Sequence, residues 1–146
     1  PLQTFSKELK LDYSTIPFFI EANNPKLEER LFLLANSISS NVMKADSEQR
    51  ERLHLSAVWV NNFTNHILHQ AQEIARVNQI DFKHLLPLLE ETINKLNYQS
   101  AFDSQTGPAR RGDKTIIDRQ LSKLNDEQKK IYRMLTESIT NTYNND

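Results

Sequence analysis

The chain has 146 residues and only two glycines, and both fall within one short stretch, Gln105-Thr-Gly-Pro-Ala-Arg-Arg-Gly-Asp113. Tight hairpins rely on glycine to reach positive φ, so a chain this poor in glycine can make few of them and should build its fold from helices. Where the two glycines sit is a second constraint. Pro108 pushes Gly107 out of the helical region and stiffens the turn, which predicts a shaped loop between two helical regions. Two readings of that loop compete. In one it is a connection, with Gly107 and Gly112 as turn residues and Asp113 capping a helix that starts at Lys114. In the other it is an anion site, where Arg110 or Arg111 pairs with a carboxylate or phosphate beside accessible main-chain amides. Asp113 opposes an anion there, so a structural Arg-Asp clamp is a third possibility.

Hydrophobic residues make up 38% of the chain, but they fall in periodic clusters, which separates it from a disordered sequence. The formal charge of -1 gives no general field to attract nucleic acid or an anionic membrane. With no cysteine, disulfides, thiol catalysis and thiolate metal sites are excluded, which fits a reducing compartment. No apolar run reaches the ~18 residues of a membrane span, and the start lacks a signal-peptide pattern, so a cytoplasmic protein is expected. Pro1 runs straight into Leu-Gln-Thr-Phe, as expected for an excised piece of something longer.

Ile16-Pro-Phe-Phe-Ile20 and Asn41-Val-Met-Lys-Ala45 are strand candidates, and between them Asn24 caps a helix with Pro25 in its first turn. Lys7 to Leu11 allow at most a turn of helix. This strand-helix-strand unit is too small to cover its own sheet and should need partners. Asp46 and Gln49 have capping-box spacing and open a stretch without Pro or Gly up to Asn78, which predicts one helix of about 30 residues. Its packing stripe is Leu55, Trp59, Val60, Phe63, Ile67, Ala71 and Ile74. A polar row of His54, Asn61, Asn65 and Gln72, with Asn62 beside it, occupies another face. That row can line a ligand cleft or simply face solvent. A helix from Phe82 to Leu96 should bend at Pro87. A short helix over 114–124 and a last one from the Asn125 cap complete the chain, with a frayed tail from Asn141.

Other chemistry is weakly written. His66 and His69 are three residues apart, but His54 lies too far along the helix to share an ion with them, so no metal site is expected. Adjacent Glu90 and Glu91 point about 100° apart on a helix and form no carboxylate dyad. Arg111-Gly-Asp113 lacks the secretory context of an adhesion motif. The chain has too few glycines for a Gly-x-Gly-x-x-Gly or Walker loop, so alone it should bind no dinucleotide.

The stretch Gln105 to Asp113, together with His54-Leu-Ser-Ala-Val-Trp-Val-Asn-Asn-Phe-Thr-Asn-His66 and Leu85-Leu-Pro-Leu-Leu-Glu-Glu-Thr92, resembles the C-terminal helical domain of Rossmann-like NADP oxidoreductases, a domain of unknown function. These proteins resemble the wider superfamily of 6-phosphogluconate dehydrogenase, ketopantoate reductase and the proline-forming reductases. The resemblance covers effectively the whole chain, while the part carrying the glycine fingerprint is missing. It implies a mainly α fold: residues 1–45 as the tail end of a Rossmann-like nucleotide-binding domain, and 46–146 as a helical substrate and dimerisation domain. It further implies His54 as a proton donor beside the hydride, where the related dehydrogenases often use a lysine. Asn62, Asn65, Gln105, Thr106, Gly107, Arg111 and Asp113 are implied as substrate contacts, and Gln3 and Thr4 as contacts to the cofactor. NADP or NAD is expected in the full-length protein and no cofactor in this chain alone. The implied partners are a second copy, a small and anionic substrate, and the missing nucleotide-binding domain. The rival expectation is a helical dimerisation or scaffold module without catalysis.

Overall fold

A computed structural model describes residues 1–5, 7 and 10–143. By its internal packing the chain forms two compact units, Pro1–Asn65 and His66–Asp146.

In the first unit, β1 (Phe18–Ile20), α1 (Pro25–Asn36) and β2 (Val42–Lys44) follow in order. The strands pair in parallel, Phe18 opposite Val42 and Ile20 opposite Lys44. Asn24 starts α1 by accepting the Leu27 amide at 2.8 Å, and Pro25 sits in the first turn, where its missing N–H leaves no helical bond unmade. Both strands are shorter than the runs 16–20 and 41–45. Pro17 has no amide to donate, and Asn41 and Ala45 contribute only the closing bonds, Phe18 N to Asn41 O and Ala45 N to Ile20 O. Beneath this junction lies the buried Ser39. Its hydroxyl donates to Ile16 O at 2.7 Å and accepts from Asn41 N at 3.0 Å, so its polar atoms are satisfied without water. The turn of helix allowed at Lys7 to Leu11 includes Glu8 and Leu9, which lie outside the described residues; the first helical turn described is Tyr13–Thr15.

The helix α2 (Ser47–Ala57) opens with the expected reciprocal cap: Asp46 accepts the Gln49 amide at 2.7 Å and Gln49 accepts the Asp46 amide at 2.9 Å. Glu21, just beyond β1, accepts from the Ser47 amide at 3.2 Å and its hydroxyl at 2.9 Å, and pairs with Arg50. Arg50 also donates to Ala45 O at 3.1 Å. One carboxylate and one guanidinium thus tie the end of the sheet to the start of the helix.

The single α-helix expected from Asp46 to Asn78 is corrected by the structure. Val58–Phe63 winds as a π-helix between α2 and α3 (Thr64–Val77). The expected packing stripe is corrected as well. Leu55, Trp59, Val60, Phe63, Ile67 and Ile74 are all exposed, Val60 at 76%.

In the second unit, Gln79 ends α3 with a φ of 56°, and Ile80 donates to Ala75 O at 2.9 Å across the stop. A 3-10 turn, Phe82–Leu85, leads into α4 (Leu86–Lys95). Pro87 does not bend a longer helix as expected; it stands in the first turn of α4, where proline fits. Between α4 and the helix at Lys114 the chain makes two single turns, α5 (Ala101–Ser104) and α6 (Pro108–Arg111). Then come α7 (Lys114–Leu121) and α8 (Asp126–Tyr143). Asn125 and Gln128 cap α8 reciprocally, at 2.9 and 3.2 Å. The tail expected from Asn141 is helical as far as Tyr143, and 144–146 lie outside the described residues.

The fold is mainly α with one small parallel sheet. Its buried apolar side chains among the described residues are Ile16, Ala35, Ala45, Ala75 and Ala109, nearly all of them small. No helix among the described residues is long and apolar enough to cross a membrane.

Candidate functional site

Two features merit description, one in each unit. In the first, the Leu2 amide donates to Pro17 O at 2.8 Å, which holds the opening residues beside the start of β1. The Asn61 amide nitrogen donates to the Thr4 hydroxyl at 3.0 Å, joining those residues to the π segment. A cleft of about 490 Å³ lies between them, with Gln3, Thr4, His54, Ser56, Asn61 and Asn62 as its polar lining. The remaining lining is apolar, and His54 is its only titratable side chain among the described residues. Amides, hydroxyls and one imidazole supply both donors and acceptors here.

The π segment bears on this arrangement. A π turn closes i to i+5 rather than i to i+4, so side chains turn less per residue along it. Asn61 and Asn62 therefore both reach the side occupied by His54, one turn and more upstream. The segment is further marked by an edge-to-face contact of Trp59 and Phe63, with ring centroids 5.2 Å apart, and by the Thr64 hydroxyl donating to Trp59 O at 3.3 Å. Of the residues singled out from the sequence, Gln3, Thr4, His54 and Asn62 meet at this cleft. Asn65, on exposed α3 surface, is not among its lining residues. Ser56 had no sequence signal, being a lone serine within a helix.

In the second unit, the glycine loop is held by its own contacts. Gly107 has φ 105° and ψ 177°, a region open essentially to glycine alone, and Gly112 has φ 67°. No added Cβ would clash at either position, so backbone conformation is what demands glycine. Asp113 caps α7 by accepting the Ile116 amide at 3.1 Å. The connection reading thus describes both glycines and Asp113 correctly, and no Arg-Asp clamp forms among the described residues.

The adjacent arginines part company. Arg110 turns inward, donating to Gln105 O and, at 3.4 Å, to Asp103 O, with its guanidinium 5.0 Å from the centre of the Tyr143 ring. Arg111 is exposed; its amide donates to Gly107 O at 3.3 Å, and its side chain has no hydrogen bond or ion pair among the described residues. Thr106 is exposed too, and its carbonyl accepts from the Gln105 side chain at 2.9 Å. The loop offers one uncommitted guanidinium, that of Arg111. On α3 the His66 and His69 rings are 6.3 Å apart, and no group of three metal-ligating side chains gathers among the described residues.

A family model described as domain of unknown function (DUF2520) matches residues 16–139. No curated protein gives a significant match. Among solved structures, the chain is similar to one described as a "putative NADP oxidoreductase" from Bacteroides fragilis, at 40% identity and a TM-score of 0.92, over 97% of this chain and 55% of that one. It is also similar to a protein from Thermotoga maritima, at 21% identity and a TM-score of 0.65, over 83% of this chain and 51% of that one. At that lower identity the likeness is one of fold alone. The chain spans about half the length of these solved relatives.

Proposed function

The chain belongs to the DUF2520 family, and we propose that it is the substrate-binding and dimerisation part of an NAD(P)-dependent oxidoreductase, active only together with a nucleotide-binding half. The observation that carries this reading is the cleft where Gln3 and Thr4 meet His54, Asn61 and Asn62, in a chain 40% identical to part of a protein described as a "putative NADP oxidoreductase". In this reading NADP or NAD is bound by the other half, and Gln3 and Thr4 stand at the cofactor's edge. As hydride reaches the substrate carbon, the atom bonded to that carbon needs a proton, and His54 is the group on the cleft able to give one. Asn62 orients the substrate, with Asn65 further along the helix, and Arg111 with the loop from Gln105 to Asp113 binds its anionic group.

Dimerisation rests on exposed surface. Separate globules the size of the two units would together expose roughly 9,300 Å² by the scaling of surface with mass. This chain exposes 11803 Å². The excess is of the order buried in obligate interfaces. On α4, Leu86 and Ile93 lie two turns apart on one face and are exposed at 39% and 58%, and we assign that face to a second copy. The exposed Leu33 and Leu34 of α1, beside the small sheet, are assigned to the nucleotide-binding half. The internal bonding of the glycine loop favours a second reading, a helical dimerisation module without catalysis.

Kinetics of the full-length protein separate the two readings. With NADPH and small anionic carbonyl or imine compounds, hydride transfer is expected, and His54→Ala should lower kcat by about 10²-fold or more. Arg111→Ala should raise the substrate KM roughly tenfold, as for a lost charged hydrogen bond, and leave the NADPH KM nearly unchanged. Absence of any hydride transfer would favour the module, and unchanged kinetics in Arg111→Ala would remove the loop from the site. Tight NADPH binding by this chain alone would contradict the division of labour.

A further inference from the structure

The glycine loop is buttressed from the far end of the chain. The Phe102 and Tyr143 rings stack with centroids 4.5 Å apart and planes 27° apart. The Arg110 guanidinium lies over the same Tyr143 ring, 5.0 Å from its centre, while it donates to the carbonyls of Gln105 and Asp103. Between them Ala109 is buried, and its carbonyl accepts from the Thr140 hydroxyl at 3.5 Å. The last turn of α8 therefore touches the loop through a ring, a cation and a hydroxyl at once.

We infer that Tyr143, stacked on Phe102 and covered by Arg110, is a positioning residue that fixes the shape of the loop and thereby presents Arg111 outward. Arg110 and Arg111 are neighbours on one helical turn, so their side chains leave it about 100° apart. Holding Arg110 inward on Tyr143 fixes that turn and directs its neighbour to solvent. A planar guanidinium suits the task, because it can stack on a ring and donate in its own plane simultaneously. The two glycines supply the unusual backbone angles of the loop, while the aromatic pair selects one arrangement among those the glycines permit. Two arginines that look interchangeable in sequence thus have distinct roles, Arg110 as an anchor and Arg111 as a contact.

The consequence for ligand binding rests on the proposed role of Arg111, and the test separates the two. Hydrogen exchange by mass spectrometry is measured on the full-length protein for Tyr143→Ala, Phe102→Ala and Tyr143→Phe. Exchange over 105–113 should accelerate about tenfold in both alanine variants relative to the peptide covering β1. Tyr143→Phe, which keeps the ring and its face toward Arg110, should match wild type. Wild-type protection of the loop in both alanine variants would overturn the inference, as would equal acceleration in every peptide, which indicates loss of global stability. In the kinetic arm, Tyr143→Ala should raise the substrate KM as Arg111→Ala does, and Tyr143→Phe should restore it. A loosened loop with unchanged KM would uphold the buttress and overturn the Arg111 contact.

Discussion

At the scale of single residues, backbone angles and caps decide most of what this chain does. Gly107 occupies a conformation that other residues adopt only under strain, yet an added methyl would meet nothing within 4 Å. Gly107→Ala should therefore cost about 1–3 kcal/mol from the backbone alone, visible as a lower Tm; an unchanged Tm would mean the loop relaxes freely. Gln79 presents the opposite case, a side chain held at φ 56° where α3 stops. Gln79→Gly should raise stability by up to about 1 kcal/mol, and a loss on denaturant titration would show that its side chain contributes more than its backbone costs. The caps at Asn24, Asp46, Asp113 and Asn125 were legible in the sequence because each acts within three residues of itself. The different duties of Arg110 and Arg111 were not, since Tyr143, which distinguishes them, comes from the distant end of α8.

At the scale of elements, the joint between β1 and α2 has a charge at its centre. The Glu21 carboxyl is held below its ordinary 4.5, first by the hydrogen bond from Ser47 and then by Arg50. A carboxylate so lowered contributes stability that is present above its unfolded value and lost as pH falls through the folded one. The stability difference between wild type and Glu21→Gln should thus shrink as the medium is acidified below pH 4.5. Equal differences at neutral and acid pH would show that the ion pair is idle. The strand-helix-strand order could be read from periodicity and caps. The π segment could not, because nothing in Val58-Trp-Val-Asn-Asn-Phe63 prevents an ordinary α-helix. For the same reason the sequence could not tell His54, Asn61 and Asn62, which line the cleft, from Asn65 and Gln72, which do not.

At the scale of the whole molecule, the sequence revealed a helical fold and a family, while the destination of its apolar side chains was misread. Periodicity shows which residues share a face; it does not show whether the cover comes from the same chain. Leu86 and Ile93 on α4 are the test positions. Sedimentation of the full-length protein should give a dimer, and Leu86→Asp with Ile93→Asp should give a folded monomer. A wild-type monomer at high concentration would refute the assignment of α4 to a second copy.

The exposed Trp59, at 64%, is the only tryptophan in this chain, and it lies in the π segment. Indole fluorescence shifts to shorter wavelength when water is displaced from the ring. A single emission spectrum from this chain, free and then joined to whatever covers that helix, thus records association at one known place, with no label attached.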